Sequence, residues 1–233
     1  MLNHRALVRM TRADQAYNSL KRMIISGELP PGAEFTEIQA AEFLGTGRTP
    51  VREALARLRS RRLIVVAPPR RYAVAPITVG DVRDLFEVRR LLETEATKLA
   101  AGRADGTDLR RLDAACSEAY RPQDPESISR FLRANTEFHL TVAQASGNRR
   151  LVELLAPILD EMERLLHLGL RGSDRSDEII HEHRRLIAAL EAGDPASAAQ
   201  EVLAQLHDAQ AMVMRAFVGG ALDSAASATA LLG

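Results

Sequence analysis

The chain has 233 residues, enough for one large core or two modest ones, and with no Trp and 4% aromatic residues its interior must be aliphatic. A single cysteine, Cys116, excludes an internal disulfide and any multi-cysteine metal site. The formal net charge is zero, yet residues 1–76 hold 13 Lys and Arg against 6 Asp and Glu, so a segment of +7 is joined to a remainder of −7. A basic module joined to an acidic one points to a polyanionic partner for the first alone. Met1 to Thr11 alternates charged and apolar residues, unlike an export signal. No stretch approaches the roughly 18 apolar residues of a spanning helix, so a cytoplasmic protein with no membrane partner is expected.

Ala16, Tyr17, Leu20, Met23 and Ile24 recur at helical spacing, and Gly27 followed by Pro30-Pro31-Gly32 stops that helix. A second helix is predicted from about Thr36 to Leu44, with Ile38, Ala41, Phe43 and Leu44 apolar and Gly45 as its end. Thr49 and Pro50 are predicted to open a third, Thr as cap and Pro in the first helical position, running to about Arg59 with Val51, Leu55 and Leu58 inward. Leu63 to Val66 and Tyr72 to Val74 read as two strands joined across Pro68-Pro69-Arg70-Arg71. Three helices and a hairpin, with the short turn Gly45-Thr46-Gly47 between the second and third helices, make the plan of a winged helix-turn-helix.

Beyond Pro76 the strand signals vanish. Thr78 to Asp81 resembles a capping box and opens a helix to about Gly102, with Val82, Leu85, Val88, Leu92, Ala96 and Leu99 expected on its inner face. Further helices are predicted over 107–120, 127–145, 149–170, 175–192 and 195–218. The fold class is therefore mainly α. A winged helix-turn-helix over 1–76 precedes an antiparallel all-helical bundle over 77–220, and the Ala- and Ser-rich residues 221–233 form a disordered tail.

The sharpest local pattern is Arg48-Thr49-Pro50-Val51-Arg52-Glu53-Ala54-Leu55. Arg48 and Arg52 flank the start of the third helix, where recognition helices meet base edges. An Arg there donates two hydrogen bonds to guanine or holds a phosphate, and Thr49 with the free amides of the first turn suits a phosphate oxygen. From Met23 through Gly27-Glu28-Leu29-Pro30-Pro31-Gly32 and Glu37 to Leu44-Gly45-Thr46-Gly47-Arg48-Thr49-Pro50-Val51-Arg52-Glu53-Ala54-Leu55, the stretch resembles the N-terminal signature of the GntR family of repressors. The resemblance covers nearly all of residues 11–75. It implies that Arg48, Thr49 and Arg52 touch double-stranded DNA and that the wing tip, Arg70 and Arg71 here, enters the minor groove. Three positions depart from the family: Gly47 stands where Ser is usual, and Arg71 and Arg62 stand where Gly is usual.

In the second half, Val88 to Glu93, Asn135 to His139, Ser146-Gly147-Asn148, Glu182-His183 and Ala189-Leu190 with Gly193-Asp194 resemble the FadR branch, whose effector domain is called FCD. Asn135 and His139, four apart, share a helix face with Phe131 and Val142, and His183 lies on the stripe Ile179, Ile187, Leu190. A hydrogen-bonded core histidine is the ordinary reading of either imidazole alone; the family pattern favours a shared polar pocket. The resemblance implies a divalent metal of the zinc or nickel class at Asn135, His139 and His183, with a third histidine. Without a gap that position falls on Gln205, whereas His207 lies two residues on, about 200° round the helix. Arg89 and Glu93, four apart, are expected to line or brace the pocket. An inward Arg89 favours a small organic acid, so the effector-contacting set is Arg89, Glu93, Asn135, His139, His183 and Gln205.

An enzyme is the main rival. Glu178 and His181 have the Glu-x-x-His spacing of carboxylate-bridged di-iron bundles, but no second copy exists in the sequence. His181-Glu182-His183-Arg184-Arg185 is no zinc-protease helix, because its fifth residue is Arg. A DNA-binding protein without an effector is the third reading. The sequence is best read as a ligand-responsive repressor, not an enzyme, that binds a palindromic operator as a homodimer.

Overall fold

The computed structural model describes residues 10–69, 71–119, 121, 124–172 and 176–218. Helix α1 (Arg12–Ser26) is opened by Thr11, whose hydroxyl accepts from the Asp14 amide while the Asp14 carboxylate accepts from the Thr11 amide. Thr36 and Gln39 repeat the device at α2 (Glu37–Phe43). Helix α3 (Arg48–Ser60) follows the predicted turn. Its start corrects the sequence reading: Gly47 is the cap, Thr49 is not, and Pro50 is the third helical residue. Proline is harmless there, since the first amides of a helix have no intrahelical partner.

Strands β1 (Glu34–Phe35), β2 (Ile64–Ala67) and β3 (Arg71–Val74) form an antiparallel sheet in the order β1-β3-β2, with Phe35 opposite Tyr72 and Ile64 opposite Val74. The two-residue β1 is too short to show an alternating pattern, and the sequence did not reveal it. Leu20, Ile24, Val51, Leu55, Leu58, Leu63, Ile64 and Val74 form one buried cluster, each contributing about 1.5–3 kcal/mol by burial. Of the apolar residues read on α2, Ala41 is buried together with Ala40, while Ile38 and Phe43 are more than half exposed. Arg62 adopts φ 55°, the left-handed region, which explains why glycine is usual at that position.

The second half is helical throughout the described residues: α4 (Val79–Ala100), α5 (Gly106–Ala119), α6 (Pro125–Ala145), α7 (Arg149–Gly172), α8 (Ser176–Glu191) and α9 (Pro195–Val218). The Thr78–Asp81 capping box is present as expected. Helix α4 packs on α6, α7 and α9, and α5 on α6 and α8. Its inner face differs from the aliphatic stripe read in the sequence. Val82, Phe86, Arg89, Glu93, Ala96 and Ala100 are buried, while Val88, Leu91 and Leu99 are exposed. Two charges turn inward because each neutralises the other and α6 supplies a further partner. No described helix is long and apolar enough to cross a membrane. The 221–233 tail lies outside the described residues.

Candidate functional site

Two sites emerge, one on the surface and one buried. Arg48 and Thr49 are exposed at the start of α3, whose N-terminus has no side-chain cap and so leaves its first amides open. Arg52 is also exposed, but its guanidinium is gripped by Glu37 of α2: Nε donates to both carboxylate oxygens at 3.3 Å and Nη2 donates to Oε2 at 3.0 Å. The Tyr72 hydroxyl, from β3, donates to the same carboxylate at 3.3 Å. The hydrogen bond from Arg52 outweighs burial and holds the Glu37 carboxyl below its usual range. Arg71 begins β3 and pairs with Glu34 of β1 at 3.1 Å, so it is tied to the sheet; Arg70 lies outside the described residues.

The buried site is a cavity of about 40 Å³ lined by Arg89, Asn135, His139, His183, Glu182 and Gln205 over an apolar floor from α6, α7 and α9. Room of that size suits a few waters. Glu93 stands behind the wall. Its carboxylate accepts from Arg89 Nε and from His139 Nδ1, the latter at 2.9 Å. Burial pushes the Glu93 carboxyl up, but Arg89 and His139 overcome it and hold the group at about 2. His183 has the matching arrangement with Asp113 of α5, 3.2 Å from Nδ1, and its ring stacks on Phe138 with centroids 4.0 Å apart. Burial, opposed by Asp113, lowers the His183 pKa, which favours the neutral imidazole. In each ring a carboxylate at Nδ1 fixes the orientation and directs Nε2 to the other side.

Asp113, buried beside Leu109, Leu112 and Cys116, was missed in the sequence; its place on that apolar stripe was the available signal. The choice left open at the last helix is resolved. Gln205 is buried and lines the cavity, whereas His207 is exposed, which corrects His207 as a candidate ligand. Gln205 Nε2 donates to the Glu182 carbonyl at 2.8 Å, and its Oε1 is buried without a hydrogen-bond partner among the described residues.

Among the described residues no three His, Cys, Asp or Glu side chains converge as a metal site, so any cation here depends on carboxamide oxygens. The donor types nonetheless suit one: imidazole is a good ligand for zinc or nickel, and His183 Nε2 and Asn135 Oδ1, at a hydrogen-bond distance of 3.1 Å, meet in the same cavity. The orphaned Gln205 Oε1 is a further acceptor in the same cavity.

Helix α6 runs from the cavity to the contact between α7 and α1. It presents Asn135 and His139 to the cavity and, between them, Thr136 to Glu163 of α7. Glu163 lies 3.4 Å from Lys21 Nζ on α1, and Asp160 holds the same ammonium at 2.7 Å. Burial raises the Glu163 pKa against the opposing pull of Lys21. Burial lowers that of Lys21, but Glu163 and Asp160 more than reverse it. Arg61 adds a contact to Asp160 at 3.4 Å, and the buried Arg164 donates to the Ala75 carbonyl at 2.8 Å.

Comparison with known proteins agrees with this two-part organisation. Residues 12–74 match the model of bacterial regulatory proteins, gntR family, and residues 84–208 match that of the FCD domain. The uncharacterized HTH-type transcriptional regulator YdhC of Bacillus subtilis (strain 168) is 30% identical over 198 residues, 84% of this chain and 88% of that protein. The probable D-xylose utilization operon transcriptional repressor of Paenarthrobacter nicotinovorans is 30% identical over 226 residues, 96% of this chain and 97% of that protein. The solved structure of E. coli McbR/YncC is similar with a TM-score of 0.76 at 27% identity, covering 90% of this chain and all of that one. The family and these relatives are regulators, not enzymes. The chain belongs to the gntR family of bacterial regulatory proteins and carries an FCD domain behind a winged helix-turn-helix.

Proposed function

We propose that this regulator is a cytoplasmic repressor that binds a palindromic operator as a homodimer and responds to a small organic acid. Residues 1–76 are the DNA-binding unit and 77–220 the effector unit. Arg48, Thr49 and Arg52 face the major groove, and Arg70 and Arg71 of the wing face the neighbouring minor groove. Two recognition helices about 34–36 Å apart would meet successive major grooves. The exposed Val88, Leu91 and Leu99 on the outer face of α4 support burial against a second copy.

The observation that carries the reading is that one helix, α6, touches both the cavity, through Asn135 and His139, and the Glu163–Lys21 pair that joins α7 to α1. A cavity of about 40 Å³ is too small for an organic acid. Effector entry therefore requires the walls to move, and a shift of α6, which supplies four of the lining residues, would carry Thr136 with it. DNA affinity then changes by the difference in effector affinity between the two arrangements.

Arg89 is the buried cation at the cavity wall, and an effector carboxylate would take over hydrogen bonds now made to Glu93. Asn135, His139, His183 and Gln205 would hold a divalent cation of the zinc or nickel class. When bound, that cation would supply a fixed positive charge for an effector oxygen. The test is operator selection from random DNA, followed by anisotropy titration of the selected duplex with a panel of mono- and dicarboxylates. Carboxylates should change DNA affinity in the wild type and lose that effect in Arg89→Gln. A response confined to uncharged compounds would remove the organic acid from the account.

A further inference from the structure

We infer that Glu37 is a positioning residue that turns Arg52 into a reader of guanine. The inference rests on the DNA-binding reading above and adds to it a residue that meets no base itself. A guanidinium has five N–H donors in a rigid fork. Glu37 occupies the Nε and Nη2 edge, at 3.3 and 3.0 Å. The Nη1 donors and the second Nη2 donor remain on the opposite edge, and two parallel donors there match guanine O6 and N7.

The grip is braced from two directions. Glu37 is the first residue of α2, held by the backbone of that helix, and the Tyr72 hydroxyl fixes its Oε1 from β3 at 3.3 Å. The Glu37 side chain is 20% exposed while Arg52 is 64% exposed, so the carboxylate is the anchored partner and the arginine tip faces outward. An unanchored arginine on a helix surface samples many rotamers and serves equally well on any phosphate; a fixed fork favours one base edge.

The charge of Glu37 gives the inference a distinctive sign. A carboxylate beside a DNA-binding face repels phosphates, so removing it should leave sequence-independent binding unchanged or tighter. Loss of positioning should weaken only the preferred sequence. The two effects run in opposite directions.

The experiment uses the full chain, the selected duplex and its single-base substitutions at each guanine, with anisotropy at two salt concentrations. Wild type should prefer guanine at one position per half-site by about 5- to 150-fold, the range a bidentate contact supplies. Arg52→Ala should abolish that preference. Glu37→Ala should cut it about tenfold or more at the same position, with the salt slope unchanged and non-specific affinity equal or higher. Glu37→Gln, which keeps an acceptor oxygen, should fall between, and adding Glu37→Ala to Arg52→Ala should cause no further loss. Melting curves of each variant verify folding, and Glu37→Gln keeps the test valid should Glu37→Ala be unstable. A uniform loss across all duplexes, an intact preference, or a loss at a position Arg52 does not control would overturn the inference. Wild type that binds no duplex above background would overturn the DNA reading itself.

Discussion

Replacing Glu93 with Gln removes the carboxylate shared by Arg89 and His139, at side chains only 3% exposed for both Arg89 and Glu93. The group is held at about 2 against an ordinary 4.5. Each tenfold change in proton affinity is about 1.4 kcal/mol, so the native carboxylate contributes on the order of 3 kcal/mol. Leaving the Arg89 charge buried without its partner points to a similar loss, about 3–5 kcal/mol. The sign follows from the depressed pKa: the contribution is complete above pH 4.5 and disappears as pH falls from there toward 2. Urea unfolding of wild type and Glu93→Gln should therefore differ by about 3 kcal/mol at pH 7, and the gap should narrow through that acid range. A gap that is small at pH 7, or that stays constant down to pH 3, would refute the assigned pairing.

Other expectations are independent of it. Arg62→Gly relieves a left-handed backbone, φ 55°, and should stabilise by about 1 kcal/mol, a rise of about 2–4 °C in the thermal midpoint; no rise would mean that the arginine is not strained there. Lys21→Met leaves Glu163 buried beside Asp160 without its ammonium. It should destabilise by about 1–3 kcal/mol at pH 7, with recovery as pH falls and Glu163, whose pKa is already raised, takes up a proton. A pH-independent loss would exclude Glu163 as the cause. Gln205→His should tighten zinc or nickel binding by chelator-treated protein about tenfold or more in calorimetry, because imidazole is a better ligand for these ions than a carboxamide. Equal affinity in wild type and variant would show that residue 205 does not reach the cation.

The helix-turn-helix was legible because its signals are local: the helical spacing of apolar residues, the Gly45-Thr46-Gly47 turn and two short β-rich runs lie within a few residues of each other. Asn135, His139 and His183 could be placed on inward stripes by helical spacing alone. Gln205 against His207 could not be settled, because a gap near Pro195 would exchange them, and only the rotation of α9 decides which is buried. The inner face of α4 was misread for a related reason. Val88 and Leu99 continue an aliphatic stripe, but the bundle buries Arg89 and Glu93, whose charges are satisfied by each other and by a histidine on another helix. Asp113, Glu163 and Lys21 take their meaning from partners 70, 142 and 139 residues away for His183 to Asp113, Lys21 to Glu163 and Lys21 to Asp160. No window along the chain contains both members of such a pair.

The Arg89–Glu93 pair also bears on what the cavity ignores. An anion arriving at Arg89 competes with a carboxylate tethered one helical turn away, present at an effective concentration far above that of any free metabolite. Under the organic-acid reading proposed above, chloride, phosphate or acetate would gain too little from a single exchanged contact to displace it. An acid that also satisfied the Gln205 oxygen or the imidazoles would gain more. The internal ion pair would thus set a noise floor, and the distance between that floor and the best ligand would define the signal such a switch could read.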